Sequence, residues 1–146
     1  AIFIVNDSLS VALAVGADGV HLGEDDLPVY AARKIVPENF IIGASVSSVE
    51  NALKVEREGA DYIGYGAIFD TNTKPDAHRG KIEVLKKIQS AVEIPVFAIG
   101  GINRKNVLKI VKAGCKRVCM ASGIIFEKDI ASAVKKIFKI LEDSAG

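Results

Sequence analysis

Residues 94–103, Ile-Pro-Val-Phe-Ala-Ile-Gly-Gly-Ile-Asn, decide how the rest of the sequence is interpreted. Their apolar run shows no polar alternation, which predicts a parallel strand buried on both faces. The strand ends at Gly100 and Gly101, and Asn103 is a suitable N-cap for a helix through Val107. A strand that turns through glycines into a helix can present backbone N–H groups to an anion. The stretch therefore predicts a phosphate site; the alternative is a pair of glycines that only makes a tight turn.

A second stretch, residues 118–124, has the same organisation: an apolar strand, Val-Cys-Met-Ala, and then Ser122-Gly123. Two neighbouring strand ends that both offer N–H groups suggest one phosphate site between them. In (β/α)8 barrels such a site commonly follows strands seven and eight. The two stretches together favour phosphate binding over two unrelated turns.

The rest of the chain alternates strand-like apolar runs with helix-like periodicity. Glycines at residues 16, 59 and 114 each end a predicted helix just before an apolar run. Strict alternation of β and α elements predicts a parallel sheet with right-handed crossovers. We predict six strands alternating with six helices, and the strands lie at residues 2–5, 19–23, 40–45, 62–67, 94–99 and 118–121.

Composition limits the classes of function. The 146 residues favour one domain, residues 1–146, and the 49% hydrophobic content allows a large core. A net charge of +1 gives no reason to expect nucleic acid or a membrane as a partner. No apolar run approaches the roughly 20 residues that span a bilayer. If Cys119 lies in a strand, its Cα is about 13 Å from that of Cys115, too far for a disulfide. We expect both cysteines to be reduced core thiols in a cytoplasmic protein.

Polar residues follow the predicted strands at the end where ligands bind in parallel α/β folds. Asp7 and Asp26 are suited to Mg²⁺, which prefers carboxylates together with substrate phosphate; the alternative for each is a helix N-cap. His21 alternates with apolar neighbours, which favours a satisfied interior histidine over a catalytic one. Thr71-Asn72-Thr73-Lys74 puts hydroxyls and an ammonium on a long loop, which indicates phosphate binding or a polar surface loop. The polar strand-end set is Asn6-Asp7, Asp25-Asp26, Ser45, Asp70 to Lys74, Gly100-Gly101 and Ala121-Ser122.

Seven short motifs, in order along the chain, carry a resemblance to a known family. They are Asn6-Asp7, Gly-Val-His-Leu-Gly-Glu-Asp-Asp (19–26), Gly-Ala-Ser-Val (43–46), Gly-Ala-Asp-Tyr-Ile-Gly-Tyr-Gly-Ala-Ile-Phe (59–69), Thr-Asn-Thr-Lys (71–74), Ala-Ile-Gly-Gly-Ile (98–102) and Ala-Ser-Gly-Ile (121–124). The set resembles thiamine phosphate synthase over essentially the whole chain. The resemblance implies a parallel TIM barrel, (β/α)8, that couples hydroxymethylpyrimidine diphosphate to hydroxyethylthiazole phosphate. It also implies Mg²⁺, a dissociative mechanism and release of pyrophosphate.

By position, the resemblance assigns three groups of site residues. Those expected to contact the pyrimidine diphosphate are Asn6, Ser45 and Lys74, with Ser45 and Lys74 taken as catalytic. Those expected to hold Mg²⁺ are Asp7 and Asp26. Those expected to bind the thiazole phosphate are Thr71, Thr73, the Gly101 N–H, Ala121 and Ser122.

The chain also departs from the family pattern, with Glu24 for Gln, Ala67 for Pro and Asp70 for Pro. The family's first two βα units have no counterpart here, so the six units would be the third to the eighth. Their absence also removes a Gln-x-Arg-x-Lys strand that grips pyrophosphate. We therefore expect an incomplete barrel that is a fragment or that pairs with another chain, such as a second copy.

Three alternative functions remain open. One is a non-catalytic phosphate-binding relic or assembly subunit, suggested by the absent pyrophosphate-gripping strand. Another is a thiazole tautomerase-like enzyme, although Asp26 and Ser47 favour the synthase. The third is another phosphosugar barrel enzyme, such as an epimerase, for which the sequence shows no acid and base pair.

Overall fold

The structure is a computed structural model and describes residues 1–71 and 79–143. The six strands of this part of the chain form one parallel sheet in the order β1-β2-β3-β4-β5-β6. Each crossover leads to the neighbouring strand in the same direction along the sheet. Because such crossovers share one handedness, the helices lie on one face and the sheet curls around the other. The predicted (β/α)8-type architecture, incomplete and with six βα units, is confirmed as a curled half-barrel. The strands are β1 Ile4–Asn6, β2 Gly19–Leu22, β3 Ile41–Val46, β4 Tyr62–Tyr65, β5 Val96–Ile99 and β6 Val118–Cys119.

Seven helices connect and follow these strands in the described residues, one more than predicted. They are α1 Leu9–Ala14, α2 Val29–Arg33, α3 Val49–Arg57, α4 Ile82–Ala91, α5 Val107–Lys112, α6 Ser122–Ile125 and α7 Ile130–Asp143. The extra one is α6, because β6 stops at Cys119 and the Ala121 carbonyl accepts from the N–H groups of Ile124 and Ile125. None of the helices in the described ranges is both long and apolar enough to cross a membrane.

The start of α5 corrects one prediction. Its N-cap is Asn106, not Asn103. The side-chain oxygen of Asn103 instead accepts from the backbone N–H of Lys105, 2.9 Å away, and makes a local turn. The helix therefore begins one turn later than the sequence predicts, although Asn103 O still accepts from Val107 N.

Ser48 is the N-cap of α3, and a substitution there tests the contribution of the cap to stability. Its hydroxyl oxygen accepts from Asn51 N at 3.1 Å. We expect Ser48→Ala to lower the free energy of unfolding by about 1 kcal/mol, since the N-terminus of α3 then loses one hydrogen bond. Urea unfolding would measure the change, with the adjacent Ser47→Ala as the control. Equal losses in the two variants would contradict the assignment of the cap.

The two faces of the sheet differ in burial. The helix-facing residues are buried, among them Val20, Ile42, Ile63 and Ala98. The inner face is more open: Ile99 is 40% exposed. The prediction that residues 94–99 form a strand buried on both faces is therefore wrong for the inner face, which lines a hollow instead of a filled core.

The cysteine prediction holds for one residue. Cys115 is buried, and its thiol lies 3.6 Å from Val96 O. Burial raises the pKa of this thiol, so it stays protonated. Cys119 is free but exposed, because it is the last residue of the edge strand β6 and lines the inner hollow. The prediction of two core thiols is therefore wrong for Cys119.

Candidate functional site

A cavity of about 340 Å³ lies at the carboxyl ends of the strands. This volume is within the usual range for small-molecule sites, roughly 300–1,000 Å³. The predicted site residues that line it are Asn6, Ser45, Thr71, Gly101, Ala121 and Ser122. These residues come from the carboxyl-terminal parts of five different strands or directly follow them, and they converge on one hollow, as the strand-end rule predicts.

Ser45 reaches this cavity from the inner face of β3. Its hydroxyl lies 2.9 Å from Nε2 of His21, and Nδ1 of the same ring lies 3.0 Å from the hydroxyl of Tyr62. His21 is half-buried and hydrogen-bonded through both ring nitrogens, which agrees with its interpretation as a satisfied interior histidine. No sequence pattern pointed to Tyr62, whose contact with His21 crosses the intervening strand β3.

The two predicted metal ligands lie at the ends of adjacent strands. Asn6 pairs with His21 in the sheet, and the N–H of Asp7 donates to His21 O at 2.8 Å. Asp26 turns back so that its Oδ2 accepts from Gly23 N at 2.7 Å, just beyond the end of β2. Both acids are therefore at the same edge of the sheet.

The alternative interpretation of these acids as helix caps is wrong. The N-cap of α1 is Ser8, whose hydroxyl accepts from Val11 N, and the N-cap of α2 is Pro28, which makes no side-chain cap bond. Asp7 instead occupies a left-handed conformation with φ 68°, which is uncommon outside glycine. The strand-end position, rather than capping, accounts for where both acids lie.

The donor set of Asp7 and Asp26 fits Mg²⁺ only as a partial site. Among the described residues, no cluster of three or more His, Cys, Asp or Glu side chains could hold a metal. Mg²⁺, however, is commonly bound by one or two carboxylates together with substrate phosphates and water. The bond to Gly23 uses Oδ2 of Asp26, which leaves Oδ1 for a cation. A bound diphosphate would supply the remaining oxygens.

Three backbone segments meet at the predicted phosphate edge. A Cβ at Gly101, where φ is 63°, would lie 2.4 Å from Asp70 O. A Cβ at Gly123 would lie 2.3 Å from Ile102 O. These approaches leave no room for a side chain, so glycine is required at both positions. The two strand ends predicted to share a phosphate site are neighbours in the fold, since β5 pairs with β6.

An open hollow of about 590 Å³ continues from this edge to the surface. Gly101, Thr71 and Ser122 line it on the cavity side, and Arg104 and Lys105 line it as well. Sequence reasoning missed these two cations. The signal was their position directly after Gly-Gly-Ile-Asn, since positive charge beside backbone N–H groups favours an anion.

The long loop after β4 begins and ends beside the cavity. Asp70 and Arg79 form an ion pair at 3.1 Å, and Gly80 N donates to Ala67 O at 2.8 Å. Thr71 lines the cavity. The predicted site residues Thr73 and Lys74 lie outside the described residues.

Comparison with known proteins gives concordant results. The sequence pattern of the family described as "Thiamine monophosphate synthase" matches residues 1–124. The thiamine-phosphate synthase of Fusobacterium nucleatum is 52% identical over 138 residues, which cover 94% of this chain and 67% of that protein. The solved thiamine phosphate pyrophosphorylase from Pyrococcus furiosus has a TM-score of 0.88 at 45% identity. This chain is covered completely in that comparison and spans 70% of the solved chain.

More distant solved structures share the fold alone. The 3-hexulose-6-phosphate synthase from Salmonella typhimurium has a TM-score of 0.70 at 20% identity, over 92% of this chain and 66% of that one. At this identity the likeness supports the barrel-type architecture and carries no information about the reaction.

Proposed function

Because the chain belongs to the thiamine monophosphate synthase family, a family of transferases, we propose that it forms thiamine phosphate. The proposed reaction couples hydroxymethylpyrimidine diphosphate to hydroxyethylthiazole phosphate and releases pyrophosphate. The observation that carries the proposal is the cavity at the strand ends, which brings together polar residues from distant parts of the sequence.

The pyrimidine diphosphate is assigned to the part of the cavity lined by Asn6 and Ser45. Their side chains offer hydrogen bonds of both kinds to a heteroaromatic ring. Lys74 is assigned to the diphosphate, where its ammonium would offset the negative charge of the leaving pyrophosphate. These two assignments make Ser45 and Lys74 the proposed catalytic residues.

The thiazole phosphate is assigned to the edge where Gly101 and Ser122 meet. Thr71 and Ser122 supply hydroxyl groups, and Gly101 and Ala121 supply backbone N–H groups. Phosphate accepts hydrogen bonds from all of these donors. Thr73 is assigned to the same phosphate, and Arg104 and Lys105 add positive charge at the entrance.

Asp7 and Asp26 are assigned to Mg²⁺, which when bound supplies positive charge to the diphosphate. In the proposed dissociative reaction, the bond between the pyrimidine methylene carbon and the diphosphate oxygen breaks, and its electron pair leaves with pyrophosphate. The lone pair of the thiazole nitrogen then forms the new bond to that carbon. Ile99 and Met120 line the cavity and help to exclude the water that would compete for this carbon.

A second candidate is phosphate binding without turnover, and the open inner face is the observation that favours it. β1 and β6 are the edge strands of the described sheet, and the inner face with α7 lines an apolar hollow of about 710 Å³. Exposed apolar surface of this kind favours a covering partner. The partner in this proposal is a second copy of the chain or other βα units that complete the barrel. For either candidate function, we also propose that the protein is cytoplasmic.

The test is formation of thiamine phosphate from both substrates and Mg²⁺, followed by mass spectrometry. The proposal predicts a product that requires both substrates. Thiazole phosphate binding without any product would favour the binding-only candidate. If neither product nor binding is detected, the proposed function is wrong for this chain.

A further inference from the structure

A chain of hydrogen bonds crosses three strands on the inner face of the sheet. It runs from Tyr62 on β4 to His21 on β2 and then to Ser45 on β3, over distances of 3.0 Å and 2.9 Å. The proposed function uses only its last member. His21 lines both the strand-end cavity and the apolar hollow beside it, and Tyr62 lines the hollow.

Two glycines provide the space that this chain of bonds needs. Gly43 lies between His21 and Tyr62 in the strand register, and a Cβ there would lie 2.1 Å from Cζ of Tyr62. Gly64 is opposite Ser45, and a Cβ there would lie 3.1 Å from Cε1 of His21. The phenol and the imidazole can therefore lie across neighbouring strands. The edge of the Tyr62 ring also contacts Phe97, with the ring centroids 5.5 Å apart.

The two distances fit either tautomer of His21, and the buried hydroxyl of Tyr62 favours one of them. Burial raises the pKa of this phenol, so it keeps its proton. In the described part of the chain, the acceptor within reach of that proton is Nδ1 of His21. A neutral imidazole that accepts at Nδ1 carries its own proton on Nε2. In this tautomer Nε2 donates to Ser45 Oγ, 2.9 Å away.

We propose that His21 is a positioning residue that, held in its Nε2–H tautomer by Tyr62, makes Ser45 a hydrogen-bond donor to the substrate. Once Ser45 Oγ accepts from His21, the hydroxyl hydrogen of Ser45 is directed away from the ring and into the cavity. It then meets an acceptor atom, such as a ring nitrogen. The opposite tautomer would use that hydrogen internally, and Ser45 would offer the substrate only a lone pair. The identity of the substrate rests on the proposed function; the tautomer does not.

Nitrogen NMR on protein with ¹⁵N-labelled histidine tests the tautomer directly, at mildly alkaline pH where imidazole is neutral. The chain has two histidines, His21 and His78, so His78→Gln assigns the signals. We expect a proton on Nε2 of His21 and an unprotonated, hydrogen-bonded Nδ1. Tyr62→Phe should change the Nδ1 signal, while Tyr30→Phe, at an exposed tyrosine, should not. A dominant Nδ1–H tautomer would overturn the proposal.

A double-mutant cycle separates positioning from a merely structural role. We expect Tyr62→Phe to weaken binding of the pyrimidine diphosphate roughly three- to tenfold, the usual effect of one hydrogen bond. In a Ser45→Ala background the same change should have little further effect, since the two residues act through one chain. Equal weakening in both backgrounds would overturn the proposal. Failure of the unmutated protein to bind the substrate would instead count against the proposed function, and the tautomer measurement would still decide this inference.

Discussion

Gly101→Ala is expected to weaken binding of hydroxyethylthiazole phosphate roughly 100-fold or more and to lower the free energy of unfolding by about 2 to 4 kcal/mol. Gly101 has a left-handed conformation, with φ 63°, which L-amino acids adopt only at a cost in free energy. The added Cβ would also lie 2.4 Å from Asp70 O and 2.8 Å from the Phe69 backbone. Neither neighbour is a flexible side-chain end, so the segment leading into Thr71 must move. Calorimetry would measure binding, and urea unfolding would measure stability.

Gly16→Ala is the matched control for this substitution. Gly16 has nearly the same φ, 65°, but a Cβ there meets nothing within 4 Å. We expect it to cost about 1 kcal/mol from backbone strain alone and to leave phosphate binding unchanged. Equal losses of stability in the two variants, with binding retained in both, would contradict the assigned phosphate edge.

Asp26→Asn is expected to lower kcat/KM roughly 100-fold or more, since a cation that offsets the diphosphate charge contributes several kcal/mol. Asparagine has nearly the same shape, and its amide oxygen can still accept from Gly23 N. The substitution therefore removes the charge without removing the turn. The substitution weakens one proposed Mg²⁺ ligand and leaves the rest of the site unchanged. We therefore expect higher Mg²⁺ concentrations to restore part of the activity. Steady-state kinetics over a Mg²⁺ titration would measure both effects.

Asp25→Asn is the control for the charge change. Asp25 is exposed and follows the same strand, one residue earlier. Removal of its charge alters the net charge equally, so it reports any general electrostatic effect. If Asp25→Asn lowers activity as much as Asp26→Asn, or if Asp26→Asn leaves the Mg²⁺ dependence unchanged, the assigned metal ligand is wrong.

The sequence predicts which residues meet at the strand ends because a parallel sheet places those ends at one edge. Asn6, Ser45 and Gly101 could be grouped without any structure, since each directly follows or ends an apolar run. Asp7 and Asp26 could be placed at that edge, but only the structure excludes helix capping for them. Ser8 and Pro28 occupy the N-cap positions of α1 and α2 instead.

Contacts that depend on side chains crossing the sheet could not be predicted. Tyr62 can contact His21 only because Gly43, between them, has no side chain. No periodicity in the sequence indicates this contact. The late start of α5 reflects a local bond from the Asn103 side chain, which competes with capping. Cys119 was misplaced because its exposure depends on β6 being an edge strand.

Titration of thiamine phosphate into the protein tests most directly whether the strand-end residues form one site. The product carries both the pyrimidine and the thiazole phosphate, so its binding should depend on Ser45 and on Gly101 together. We predict one binding site per chain, weakened by Ser45→Ala and by Gly101→Ala and unchanged by Gly16→Ala. Absence of binding, or binding that either of the first two substitutions leaves intact, would contradict a single shared site.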